Sequence, residues 1–185
     1  VSGLSLSGPD KNNYTLTQPT TTADITARAL TVSATGVNKV YDSTTTATVT
    51  LSDNRVSGDV LVTAYTTASF ATKTVGTGKT VSVSGITVTG ADAGNYTFNT
   101  TATTTANITA KSLTVSGITA NDKIYDGNAT TTLNTGSAAL VGVVSGDVAT
   151  LNTGSATGAF ANKNVGTSKT VTVSGLTISG TDSGN

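Results

Sequence analysis

The chain has 185 residues, with ten basic and ten acidic side chains and no net charge. That balance excludes the basic stripe a nucleic-acid binder needs and argues equally against an anionic membrane surface. Cys, His, Met and Trp are missing and every acid is Asp, which excludes disulfides, thiolate metal sites and His- or Cys-based catalysis.

Thr makes up roughly a quarter of the residues, with Val, Ala, Ser and Gly behind it. β-Branched side chains fit a half-buried pleated sheet and lose rotamer freedom in a helix. Glu is missing and Leu, Lys and Arg are scarce, so the usual helix formers are too few. The class expected is all-β. No apolar run reaches the ~20 residues of a membrane-spanning helix. No signal peptide opens the chain and Val1 is an unusual native start, so an excised fragment is expected.

In chain order, VSGLSLSGPDKNNYTL (1–16) alternates and then turns, and TTTADITA (20–27) follows. ALTVSA (29–34) alternates; a Lys then precedes Tyr41-Asp42, which open a strand. TTATVTL (45–51) places Ala47, Val49 and Leu51 on one face with Thr on the other. SGDV (57–60) marks a turn, and LVTAYTTAS (61–69) carries Tyr65. KTVSVSGITVTG (79–90) reads as strand, glycine break, strand, with Val81, Val83, Ile86 and Val88 inward. GADAGNYTF (90–98) and TANIT (105–109) complete the round.

The same blocks then recur. VSGITVTGADAGNYTF (83–98) matches residues 1–16 and VSGLTISGTDSGN (173–185). TTTANITAKSLTVSG (103–117) matches residues 20–34, and DKIYDGNATTTL (122–133) matches NKVYDSTTTATV (38–49). SGDV returns at Ser145, and FATKTVGTGKTVSVSG (70–85) pairs with FANKNVGTSKTVTVSG (160–175). The period of about 82 to 90 residues is that of a small domain, not of a solenoid rung. The units assigned are 1–27, the C-terminal part of one repeat; 28–110, a complete repeat; and 111–185, a third without its last strands.

About seven short strands per unit at regular spacing predict an immunoglobulin-like β-sandwich, with units end to end as a rod. A small β-grasp-like repeat is the alternative, and the long period argues against a β-helix. Asp92, Gly94, Tyr96 and Phe98 stand at the spacing where an immunoglobulin-type domain places an Asp, a small residue, the corner Tyr and a core residue, with the phenol tied back to nearby backbone. TANIT runs into LTVSG without a Gly/Pro linker, which predicts a stiff junction adding roughly 30–40 Å per unit.

KVYDSTTTATV, SGDV, FATKTVGTGKTVSVSGITVTGADAGNYTF and TTTANITAKSLTV together resemble the YDG-type repeat of bacterial surface adhesins related to filamentous haemagglutinins. The resemblance covers essentially the whole chain. It implies an extracellular, surface-attached fibre and an adhesive parent protein, and it supplies no catalytic or ligand-contacting residues. The third unit carries the name-giving Tyr125-Asp126-Gly127, whereas the complete middle one has Tyr41-Asp42-Ser43. If the Gly is left-handed, Ser43 implies strain or a different turn.

Weighed as sites, the Tyr-Asp pairs read as capped turns rather than ligand contacts. The repeated lysines (Lys39, Lys73, Lys79 and Lys123, Lys163, Lys169) raise the possibility of an isopeptide bond to an Asn such as Asn95, but alternation with core positions favours solvated stems. The junctions offer one acid beside a base, a poor calcium cage. The sequence supplies no catalytic constellation and requires no cofactor, so no enzyme is expected. Two functions remain: a stalk that presents an adhesive region, or repeats that bind host carbohydrate or surface protein through weak multivalent contacts. For the second, Tyr65, which has no counterpart in the next unit, is the candidate contact. Neighbouring repeats are the other expected partners. Since Tyr14–Ala27 corresponds to what the third unit lacks, end-to-end complementation between molecules is also expected.

Overall fold

A computed structural model describes residues 2–185. Residues 2–27 contain no strand; a single 3-10 turn, Lys11–Asn13, lies in a segment whose side chains, Tyr14 and Ile25 among them, are exposed.

The first repeat comprises β1 (Arg28–Leu30), β2 (Val32–Val37), β3 (Lys39–Val40), β4 (Thr48–Asp53), β5 (Val62–Ala64), β6 (Thr67–Phe70), β7 (Gly76–Ser84), β8 (Thr87–Thr89), β9 (Tyr96–Phe98) and β10 (Thr101–Thr109). With 41% of the chain in strands and 3% helical, the fold is all-β. The inward positions expected in β7 and around β8 are the buried ones: Val81, Val83, Ile86 and Val88. Val49 in β4 is buried with Ala47 just before it, and Leu51 is half-buried. Instead of seven strands, however, ten shorter ones form four small sheets, because glycines and turns interrupt the alternating runs.

The largest sheet has the order β3-β10-β7-β6. β10 runs antiparallel to β7 from Thr101–Ser84 to Ile108–Gly76, with a bulge between Ala106 and Ile108, and parallel to β3. β2 also packs on it. At Gly36 an added Cβ would stand 2.5 Å from the Thr105 carbonyl oxygen, so glycine permits the approach. Antiparallel pairs β2–β4 and β5–β8 and the parallel pair β1–β9 complete the unit.

The second repeat comprises β11 (Thr114–Ser116), β12 (Thr119–Ala120), β13 (Thr130–Thr131), β14 (Leu133–Asn134), β15 (Ala139–Val141), β16 (Thr150–Asn152), β17 (Thr157–Phe160), β18 (Val171–Ser174) and β19 (Thr177–Ser179). Its pairings β12–β14, β17–β18 and β16–β19 repeat those of β2–β4, β6–β7 and β5–β8, and β11–β15 continues the first of them. Its described residues end at Asn185, the counterpart of Asn95, before the places of β9 and β10.

That difference decides burial. Among the described residues, all fifteen buried apolar side chains lie between Leu30 and Ile108. Val81 and Val83 are fully enclosed, while their counterparts Val171 and Val173 are only half-buried. Ile108 on β10 is fully enclosed, whereas Ile25, at the matching place in TTTADIT, is fully exposed. Ile108→Ala is therefore expected to destabilise the first repeat by about 2–5 kcal/mol. Ile25→Ala is expected to change stability by less than about 0.5 kcal/mol, with urea denaturation comparing the two.

Candidate functional site

The Tyr-Asp turn is built alike in both repeats. The Lys39 Nζ donates to Asp42 Oδ1 at 2.7 Å and to the carbonyls of Thr44 and Thr46 at 2.9 Å each. Asp42 Oδ1 also accepts the Thr44 amide at 2.9 Å. In the second repeat Lys123 Nζ pairs with Asp126 Oδ1 at 2.6 Å and caps the carbonyls of Asn128 and Thr130, while Asp126 accepts the Asn128 amide. The Lys39 ammonium holds the Asp42 carboxyl down at about 2, with help from Thr44. Lys123 lowers Asp126 in the same way.

The residue between Asp and the capped segment is left-handed in each turn: Gly127 at φ 84° and Ser43 at φ 66°. The turn is thus the same, and Ser43 bears the strain that Gly127 avoids. Above the turn the repeats differ. Tyr41 is buried and donates its amide to the Thr109 carbonyl at 2.8 Å, while Tyr125 is exposed.

The GADAGNYTF segment is a fastener. The Tyr96 hydroxyl donates to Asp59 Oδ2 and accepts the Val56 amide at 2.9 Å, and the Asp59 carboxylate raises the Tyr96 phenol above its ordinary value. Asp92 Oδ2 accepts the Val60 amide at 2.8 Å, so both side chains hold one loop 32 to 40 positions upstream rather than nearby backbone, and Phe98, expected in the core, is exposed. Gly94 is exposed with room for a Cβ, and nothing in its surroundings requires glycine. Asp182 repeats the role of Asp92 by accepting the Val148 amide at 3.0 Å.

Tyr65 is not a surface aromatic. It follows β5, half-buried against the core, and its hydroxyl accepts the Val49 amide at 3.4 Å. Of the lysines expected as solvated stems, Lys79 donates to Thr72 and Thr74 and Lys169 to Asn162 and Asn164, while Lys163 is exposed. Among the described residues no three acids cluster as a metal site.

Lys73 does something else: it reaches the other repeat. Its Nζ donates to Asp147 Oδ1 at 3.4 Å and to Ser43 Oγ at 3.1 Å, and lies 3.9 Å from Asp182 Oδ1. Ser43 Oγ donates to Asp147 Oδ1 at 3.2 Å, and the Val75 amide donates to Asn185 Oδ1 at 3.2 Å. The adjacent Tyr41 hydroxyl, itself buried without a hydrogen bond of good geometry, and then Asp147 hold the Lys73 ammonium above the usual lysine range. Asp147 is the counterpart of Asp59. One position therefore fastens a loop within the first repeat and a neighbour across the junction in the second. Along the sequence Asp59 and Asp147 are repeated but solitary acids, each within SGDV. The signal that could have found the junction was their recurrence together with that of Lys73 and Lys163.

The model of the YDG domain matches the chain twice, at residues 26–106 and 109–185. The chain belongs to the YDG family. No curated protein and no solved structure is significantly similar to it. The two matched YDG domains meet at the Lys73–Asp147 junction, and each carries its own lysine-clamped Tyr-Asp turn.

Tyr96→Phe leaves Asp59 and the Val56 amide unpartnered and is expected to lower Tm; Tyr14→Phe, on an exposed ring, is expected to leave it unchanged. The junction has its own pH window. The Val148 amide holds Asp182 below its ordinary 3.8, so that group's contribution is complete above 3.8 and is lost as acid protonates it in the folded state. Lys73, raised above 10.5, contributes fully below that value and fails only in stronger alkali. The Val75 amide chemical shift is expected to stay constant between those limits and move at both ends.

Proposed function

We propose that these YDG repeats form a structural segment of a bacterial cell-surface adhesin, a spacer that carries an adhesive region outward. The observation that carries this reading is the inter-repeat lock, in which Lys73 and Ser43 of one repeat grip Asp147 of the next. A lock that joins consecutive repeats resists hinge motion, which is what a spacer requires. The short connection from Thr109, where β10 ends, to Thr114 supports it further. In this reading each repeat is a small Ig-like unit and the units follow end to end as a rod. A single core enclosed from several sides and the Tyr96 tie across the unit favour that description.

The second repeat presents Tyr125, Gly127 and Lys163 at the places of Tyr41, Ser43 and Lys73, so it keeps the lysine of the lock without the Ser43 hydroxyl. The reading is extracellular and non-enzymatic. Direct binding by the repeats loses its candidate contact with the inward placement of Tyr65. The test is binding of the labelled chain, singly and as a tethered multimer, to a glycan panel and to host cells. Neither form is expected to bind; saturable binding by the multimer would overturn the spacer reading.

A further inference from the structure

The chain carries five Asn-X-Thr triplets, at Asn13, Asn95, Asn99, Asn107 and Asn128, a pattern that in a surface loop marks an acceptor for an N-linked sugar. The fold sorts them by what holds the side-chain amide. Asn99 is spent on the fold: its Nδ2 donates to the carbonyls of Val32 at 3.0 Å and Thr101 at 2.8 Å, and its Oδ1 accepts the Val32 amide at 2.8 Å. Asn107 is half-buried in β10 with its Oδ1 on the Gly78 amide at 2.8 Å. Asn13 and Asn95 are exposed, but among the described residues neither side chain is bonded to the hydroxyl of the Thr two positions on.

Asn128 differs from all four. It is exposed in the turn between β12 and β13, and its Oδ1 accepts the Thr130 hydroxyl at 2.6 Å, the Thr130 amide at 3.0 Å and the Lys123 ammonium at 2.8 Å. Among the described residues, no atom takes a hydrogen bond from its Nδ2. The triplet is thus folded onto itself, Asn against Thr, and its amide nitrogen is left over. The clamp does not need an asparagine: in the first repeat Thr44 stands at this place, and its hydroxyl takes Lys39 Nζ at 3.0 Å. Nor does exposure here depend on an absent neighbour. Thr44 is exposed as well, although Ser43 beside it bonds Asp147 of the adjacent repeat. Of the five, only Asn128 has an acid two positions before it, Asp126, whose side chain is 50% exposed and within reach of an enzyme's basic residue.

We propose that Asn128 is a site of N-linked glycosylation in the folded protein, with a sugar activated at its anomeric carbon by a diphosphate as donor. The step forms a bond from Nδ2 to that carbon and breaks the carbon's bond to the diphosphate, which leaves with the electron pair. One Nδ2 proton passes to a base of the transferase. As it departs, negative charge gathers on Oδ1, where the Lys123 ammonium and the two Thr130 donors already stand. The turn therefore does for the acceptor what a transferase must otherwise do on a flexible segment: it holds Asn and Thr together and polarises the amide.

The proposal is independent of the spacer reading, since it concerns the acceptor's geometry and not what the chain presents. The test is peptide mass mapping of the whole folded chain after incubation with an asparagine glycosyltransferase, in two arms. One arm pairs a soluble enzyme with a nucleotide-diphosphate hexose, the other a membrane enzyme with a lipid-diphosphate oligosaccharide, and the mass added tells the two sources apart. At least one arm is expected to modify Asn128 while Asn99 and Asn107 stay bare. Thr130→Ser is expected to keep the modification and Thr130→Ala to lose it, with circular dichroism showing that both variants fold. Asn128 left bare in both arms would overturn the proposal, as would modification that survives Thr130→Ala. So would Asn99 or Asn107 modified to the same extent on the folded chain.

Discussion

Insertion of β10 between β3 and β7 is the interaction on which the first repeat depends. A sheet with its central strand in place removes its apolar face from water and pairs two rows of backbone groups at once. In both repeats equivalent valines pair in equivalent registers, and in the first, β10 lies across them and encloses them. The core is assembled by a segment that comes last in its own unit, so the contacts that matter most are the non-local ones.

A chain with little aromatic mass and no disulfides needs another way to hold its loops. Here lysines do it, and their compact, rotatable ammonium suits the task. Lys39 and Lys123 each gather an Asp and two carbonyls, which satisfies backbone acceptors that a turn would otherwise leave to water. Asp92 and Asp182 do the converse and accept amides from a distant loop. The outcome is a set of short polar ties around a small apolar centre, in which most charges are structural rather than free.

The junction draws on the same vocabulary. Ser43 accepts a left-handed backbone that its glycine counterpart takes without strain, and its hydroxyl is then available to bridge Lys73 and Asp147. Strain in the turn is offset by contact with the neighbour, which ties a local irregularity to the order of the repeats. A lone acid in each unit is thereby put to two uses, chosen by which partner the fold brings near.

The sequence by itself determined the class, the two repeats and the inward positions Val81, Val83, Ile86 and Val88, because alternation and composition act locally and are written residue by residue. The left-handed turn after Asp126 was equally legible in its glycine. The side to which Tyr65 faced was not, since one unmatched aromatic carries no periodicity. Nor was the division of one acid position between Tyr96 and Lys73, which stand far from it along the chain. Those choices belong to tertiary structure: partners distant in sequence become neighbours only after the strands have found their register.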